Sequence, residues 1–127
     1  MYTCHSLTSR LNYRMKKIAL AAWQQEYKRL QKQLIHIGYI SQGSVVDRSR
    51  LKKPRSGFQW THKLSQKTVT VALSQEQFKA LSQAIHNRRI LSKTIRQMEQ
   101  LSRKILFATA SDTTRRKPLR PKALGTN

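Results

Sequence analysis

At 127 residues the chain is long enough for one modest hydrophobic core and its tails, and too short for two cores of useful size. Lys and Arg number 26 against five acids, a formal charge of +21 that the four His hardly alter at neutral pH. Such an excess repels itself in a compact state, so it excludes charge kept for solubility alone and points to a polyanionic partner: DNA, RNA or an anionic surface.

No apolar run reaches the length of a membrane span, and Met1-Tyr2-Thr3-Cys4-His5 does not lead into the apolar centre of a signal peptide. The expectation is a cytoplasmic protein without a membrane partner, its charge compatible with association with the nucleoid. Cys4 is the only cysteine, which leaves no internal disulfide and no thiolate cluster for zinc, so no metal or other cofactor is expected.

Residues 1–12 show no clear period and read as a flexible arm. Helix one then runs from about Asn12 to Ile37, because Leu20, Trp23, Tyr27, Leu30, Leu34 and Ile37 step by three and four as one stripe at coiled-coil spacing. Gly38 stands where a helix C-terminus favours glycine. Arg14, Lys16, Lys17, Lys28, Arg29 and Lys32 take other faces, with Glu26 as the only acid there.

Beyond Gly43 the period changes to two. Ser44–Arg48 has the β-branched pair and the length of a short strand, Gln59–Lys63 reads as a second, and Thr68–Leu73 alternates as a third. The short turn Leu64–Lys67 makes strands two and three an antiparallel hairpin, with the first strand on one of its edges. Helix two opens at Ser74 with Gln77 three residues on, the capping-box spacing, and Glu76 in the first turn suits the helix dipole. It reaches as far as Phe107, with Phe78, Leu81, Ile85, Leu91, Ile95, Met98 and Ile105 as its stripe and Arg88 and Arg89 interrupting it. A helix of that length spans roughly 50 Å, more than a small sheet covers, so its second half must pack on helix one or on another copy.

The predicted architecture is therefore α+β in the order α-β-β-β-α, with two long antiparallel helices in a coiled-coil-like hairpin flanking a three-stranded antiparallel β-unit. The expected organisation is an arm over 1–12, a single domain over 13–107 and a disordered basic tail over 108–127. That tail carries Arg115, Arg116, Lys117, Arg120 and Lys122 with two prolines among them, Pro118 and Pro121.

Between the first two strands Arg48, Arg50, Lys52, Lys53 and Arg55 follow one another with no acid after Asp47, and Pro54 and Gly57 break regular structure. This is a basic loop presented to solvent. With Lys63 of the second strand and the five tail cations, these residues form the candidate nucleic-acid-binding set, since cations in such runs meet phosphates. Phe58 and Trp60 follow at period two, and either face the core or offer rings on which bases stack.

No catalytic residues are expected. Glu26, Asp47, Glu76, Glu99 and Asp112 are scattered, whereas metal-dependent nucleases and transposases need acids converging on one site. No glycine-rich phosphate loop occurs, and no nucleophile is set beside His36, His62 or His86. Neither a helix-turn-helix nor a zinc-finger signature is present.

The run Gly43-Ser44-Val45-Val46-Asp47-Arg48 leading to Lys53-Pro54, then an aromatic strand, then Lys67-Thr68-Val69-Thr70-Val71 and a long helix, resembles a small bacterial domain family of unknown function often found among transposase and other mobile-element sequences. The resemblance covers about residues 20–106. Members of that family carry a loop cluster of the form Cys-Gly-Lys-x-x-Cys-x-Cys, while the stretch here, Leu51–Gly57, holds no cysteine, so no metal role carries over. What the resemblance implies is a mobile-element setting with nucleic acid nearby.

The leading expectation is a non-enzymatic nucleic-acid-binding accessory protein of a transposable element, with DNA ahead of RNA as partner. A second is a helical interaction module that forms a homodimer or docks on a transposase, and a third is a ribosome- or RNA-associated basic protein.

Overall fold

The computed structural model describes residues 4–110 and 120–125, with side chains from residue 10 onward. The order is α1 (Cys4–Ile35), β1 (Ser44–Asp47), β2 (Phe58–Leu64), β3 (Lys67–Leu73) and α2 (Gln75–Thr109), with 3₁₀ turns at Arg48–Arg50 and Pro121–Leu124. This is the α-β-β-β-α order that the switch from period 3.6 to period two and back predicts. The chain divides into two compact units, Met1–Ile35 with Thr94–Asn127, and His36–Lys93, so α2 gives its first half to one and its second half to the other.

In the unit His36–Lys93 the sheet is an antiparallel meander in the order β1-β2-β3. Ser65 and Gln66 both adopt positive φ, 48° and 67°, so β2 and β3 are joined by a two-residue turn whose twist matches that of the strands. That turn fixes the register, with Leu64 opposite Lys67 and Phe58 opposite Leu73. Directly paired residues share a face, so Phe58, Trp60 and His62 lie with Leu73, Val71 and Val69, while Gln59, Thr61 and Lys63 lie with Ala72, Thr70 and Thr68 on the other.

The aromatic face turns towards the first half of α2, where the Phe58 and Phe78 rings stack with centroids 4.4 Å apart and Ala84 and Ile85 are buried. α2 starts where it does because Ser74 Oγ accepts from the Gln77 amide at 3.2 Å while Gln77 Oε1 accepts from the Ser74 amide at 2.9 Å, a reciprocal capping box.

The strand that enters the sheet is bound to α2 first. Asn87 donates to the Tyr39 carbonyl at 2.9 Å and the Ser41 amide donates to the Ala84 carbonyl at 3.2 Å. Trp60 Nε1 then donates to the Gln42 carbonyl at 2.9 Å, and Gly43 passes so close that a Cβ there would fall 2.5 Å from Trp60 Nε1 and 2.6 Å from the Thr61 carbonyl oxygen. These tertiary bonds explain why α1 ends at Ile35 rather than running to Ile37 and Gly38: the following residues find their partners on α2 instead of in another helical turn.

In the other unit, α1 lies antiparallel to the second half of α2. Lys104 places its ammonium 5.7 Å above the Trp23 ring, and further along α1 Tyr27 and Leu34 share a cleft with Ile95 and Met98. Leu30, 1% exposed, is the deepest side chain of the stripe. Buried Thr94 is the polar residue of this core, and it is not one that the predicted stripe contains.

Both ends of the chain depart from expectation. α1 begins at Cys4, inside the segment that reads as a flexible arm. Leu11, Met15 and Ile18 step by four and three on a face away from the packed stripe and stay exposed, at 59%, 67% and 69%, so they do not extend the period that marks Leu20–Leu34. α2 continues to Thr109. The predicted disordered tail contains a 3₁₀ turn at Pro121–Leu124, where Arg103 Nε donates to the Leu124 carbonyl and Gly125 closes the turn at φ 73°.

Candidate nucleic-acid interface

The loop between β1 and β2 starts as a capped turn. Asp47 Oδ1 accepts from Ser49 Oγ at 2.7 Å and from the Ser49 amide at 3.0 Å, which starts the 3₁₀ turn Arg48–Arg50 and holds the Asp47 carboxyl below the usual aspartate range. The loop closes on Arg48. Its amide donates to the Gly57 carbonyl at 2.9 Å and its carbonyl accepts from Arg55 at 3.1 Å, with Gly57 at φ 100°, a conformation that suits glycine. Arg48 Nε also donates to Gln59 Oε1 at 3.3 Å. Arg48 is thus a half-buried anchor as well as a cation, and Arg50, Lys52, Lys53 and Arg55 are carried outward on the exposed stretch that it ties down.

No acid follows Asp47 before Glu76, and the Asp47 carboxylate is occupied by Ser49. Four exposed cations on a short closed loop therefore repel one another with solvent as their main screen. An anion placed among them would relieve that repulsion and gain several charge-assisted hydrogen bonds.

Lys63 stands at the opposite end of β2, on the polar face beside Thr61 and Thr68. There a shallow cavity of about 480 Å³ is lined by Ser44, Thr61, His62, Lys63, Thr68 and Arg88, together with Gln42 and Gly43. His62 Nδ1 is buried there without a hydrogen-bond partner. Arg88 thus joins Lys63, although the sequence marks it only as an interruption of an apolar stripe; the signal that finds it is the cation itself, out of period on a helix one face of which must cover the sheet.

Phe58 and Trp60 are half-buried and engaged. Phe58 lies on Phe78, and Trp60 lies on His62 at 3.9 Å with its Nε1 on Gln42, so both are engaged on the packed face of the sheet. The exposed face is the one that alternates with them. Gln59, Thr61, Thr68 and Thr70 were legible at period two as its polar partners, but none of them is among the predicted site residues.

Of the tail cations, Arg120 and Lys122 are exposed at the second 3₁₀ turn, in the other unit. Arg115, Arg116 and Lys117 lie outside the described residues. Among the described residues, no group of three or more His, Cys, Asp or Glu side chains is placed to hold a metal, and no helix is long and apolar enough to cross a membrane. Compared with protein-family models, with curated proteins and with solved structures, the chain matches none.

Proposed function

We propose that this chain is a non-enzymatic nucleic-acid-binding accessory protein that holds phosphates with the loop 48–57 and adds the cations at Lys63 and in the basic tail. The observation that carries this reading is the set Arg50, Lys52, Lys53 and Arg55, exposed together on a loop whose ends are hydrogen-bonded shut and which contains no acid. A solvated loop needs neither the charge density nor the closure. Preorganised cations lose less entropy when they meet a phosphate backbone, which gives both features a use. A mobile-element setting, which the sequence resemblance of residues 20–106 would imply, makes DNA the nearby polyanion in this reading, with the cytoplasm as its place.

A second reading has its own observation. Leu11, Met15 and Ile18 form an exposed apolar stripe on α1 at helical spacing, which suits a second copy of this chain packing helix to helix. The two readings separate on salt. A mobility-shift titration of the full chain against duplex DNA, single strands and structured RNA at 50 mM and 200 mM salt should show binding that weakens steeply at the higher salt. Affinity for every nucleic acid that is absent or indifferent to salt rejects the phosphate reading; self-association in sedimentation that persists at high salt is what the helical stripe requires.

A further inference from the structure

The polar face of the sheet is bounded by cations and largely exposed. Ser44, Lys63, Thr68, Thr70 and Ala72 are exposed, and Val46, Gln59 and Thr61 are half-buried. The register puts Gln59, Thr61 and Thr70 at its centre, with Thr61 Oγ1 and Thr70 Oγ1 3.4 Å apart across the strands. Arg48 occupies Gln59 Oε1, which turns the Gln59 side chain into an oriented donor. At one end of the face stand the loop cations, and at the other Lys63, beside a cavity at the rim of the sheet that Arg88 of α2 also lines.

A sheet that only needed a solvated side would scatter charge of both signs over it, yet Asp47 and Glu76 are the only acids from residue 36 to residue 93, and Asp47 is bound to Ser49. We propose that this face enters the major groove of duplex DNA and reads base edges, with the cations at its two ends on the flanking phosphates. This deepens the nucleic-acid reading above and rests on it.

Dimensions and chemistry both support the choice. Two neighbouring strands at about 4.8 Å spacing form a ribbon that a major groove about 12 Å wide admits, with the third strand at its rim, whereas the minor groove is about 6 Å wide. The deep, narrow major groove of A-form RNA excludes the sheet, which commits the inference to DNA. Glutamine and threonine supply the donors and acceptors that distinguish base pairs in the major groove, and the methyl groups of Val46, Ala72 and the threonines can meet the thymine methyl. The aromatic face cannot take this part, because Phe58 and Trp60 are held by Phe78, His62 and Gln42.

Two measurements test this, both with the full chain. In the first, binding to an ordinary duplex is compared with binding to the same duplex in which every cytosine carries a bulky glucosylated hydroxymethyl group that fills the major groove. The expected result is at least a tenfold loss on the filled duplex. Equal affinity for the two overturns the inference and leaves phosphate binding standing, and a preference for structured RNA over either duplex does the same; no duplex binding even at low salt also overturns it, and removes the nucleic-acid reading itself when single strands and structured RNA are not bound either.

In the second, the double variant Thr61→Val, Thr70→Val removes both hydroxyls and keeps the β-branched shape. It should bind the best duplex selected from a random pool about five- to tenfold more weakly, with its sequence preference relaxed and its salt slope unchanged. An unaltered preference counts against the inference. The first measurement uses the unaltered chain, so the test does not depend on the variant folding.

Discussion

Individual side chains divide here between those that hold the fold and those that the fold leaves free. Leu30 belongs to the first kind: at 1% exposure it is the most completely enclosed of the described hydrophobic side chains, and replacing it with Ala removes its packing and opens a cavity. Leu30→Ala is expected to cost about 2 to 5 kcal/mol in chemical denaturation. A change within about half a kcal/mol, the range of ordinary surface substitutions, would place the residue at the surface. Asp47 makes a different kind of prediction. Hydrogen bonds from Ser49 favour its charged form, so its folded pKa lies below its unfolded value. The bonds therefore favour the folded loop at neutral pH, and that contribution fades as pH falls below the ordinary aspartate range and through the folded value. Carbon-detected titration of the Asp47 carboxyl should give a midpoint below that of a model aspartate, with the Ser49 amide shifting in step. An ordinary midpoint would mean that the cap is not made in solution.

At the scale of elements, the β2–β3 hairpin shows what a period alone can and cannot reveal. The alternation of Val69, Val71 and Leu73 against Thr68 and Thr70 predicts the strand and its two faces, and the Ser74–Gln77 spacing predicts the start of α2, which the capping box bears out. The turn is another matter, because Ser65-Gln66 carries none of the Asn or Gly that advertises two positive φ angles. A side chain in the left-handed region costs about 1 kcal/mol or somewhat more, so Gln66→Gly should stabilise the protein by roughly that amount, read as a higher denaturation midpoint with an unchanged slope. A lower midpoint would show that Gln66 makes a compensating contact.

The parts that were not legible share a cause: they depend on which residues meet across long sequence separations. Neither the early end of α1 nor the closeness demanded at Gly43 is written locally, since both follow from bonds of the 39–43 segment to Ala84, Asn87 and Trp60. The start of α1 at Cys4 has a different cause: Leu11, Met15 and Ile18 lie on another face from the Leu20–Leu34 stripe, so its period does not extend back to them. In the candidate site the loop cations were plain from their run, whereas the pairing of Lys63 with Arg88 needed the fold to bring a strand and a helix to one cavity.

For the molecule as a whole, the dominant physical fact is a charge of +21 on 127 residues. Among the described ion pairs, Arg29 with Glu26 on α1 answers only a single cation, and the Glu26 carboxyl is held low by that hydrogen bond. A charge this unbalanced makes any polyanion bind to some degree, so weak attraction to DNA by itself distinguishes little. What distinguishes a built site from a general field is how the salt dependence is distributed over the cations. A diffuse field loses affinity in small steps as charges are removed anywhere, while a phosphate contact on duplex DNA contributes about 0.9 to the slope of log affinity against log salt. Changing Lys52, Lys53 and Arg55 together to Ser should therefore flatten the slope by roughly 2 to 3 units. The same triple change should leave the melting temperature almost where it was, because these side chains are exposed and the loop is closed by Arg48, Gly57 and Asp47 rather than by them. Lys79, Lys93 and Arg96, equally charged and exposed on α2, form the matched control, and their replacement by Ser should move the slope far less. If both triple variants flatten the slope alike, the charge acts as a whole and the loop has no special part in holding phosphate.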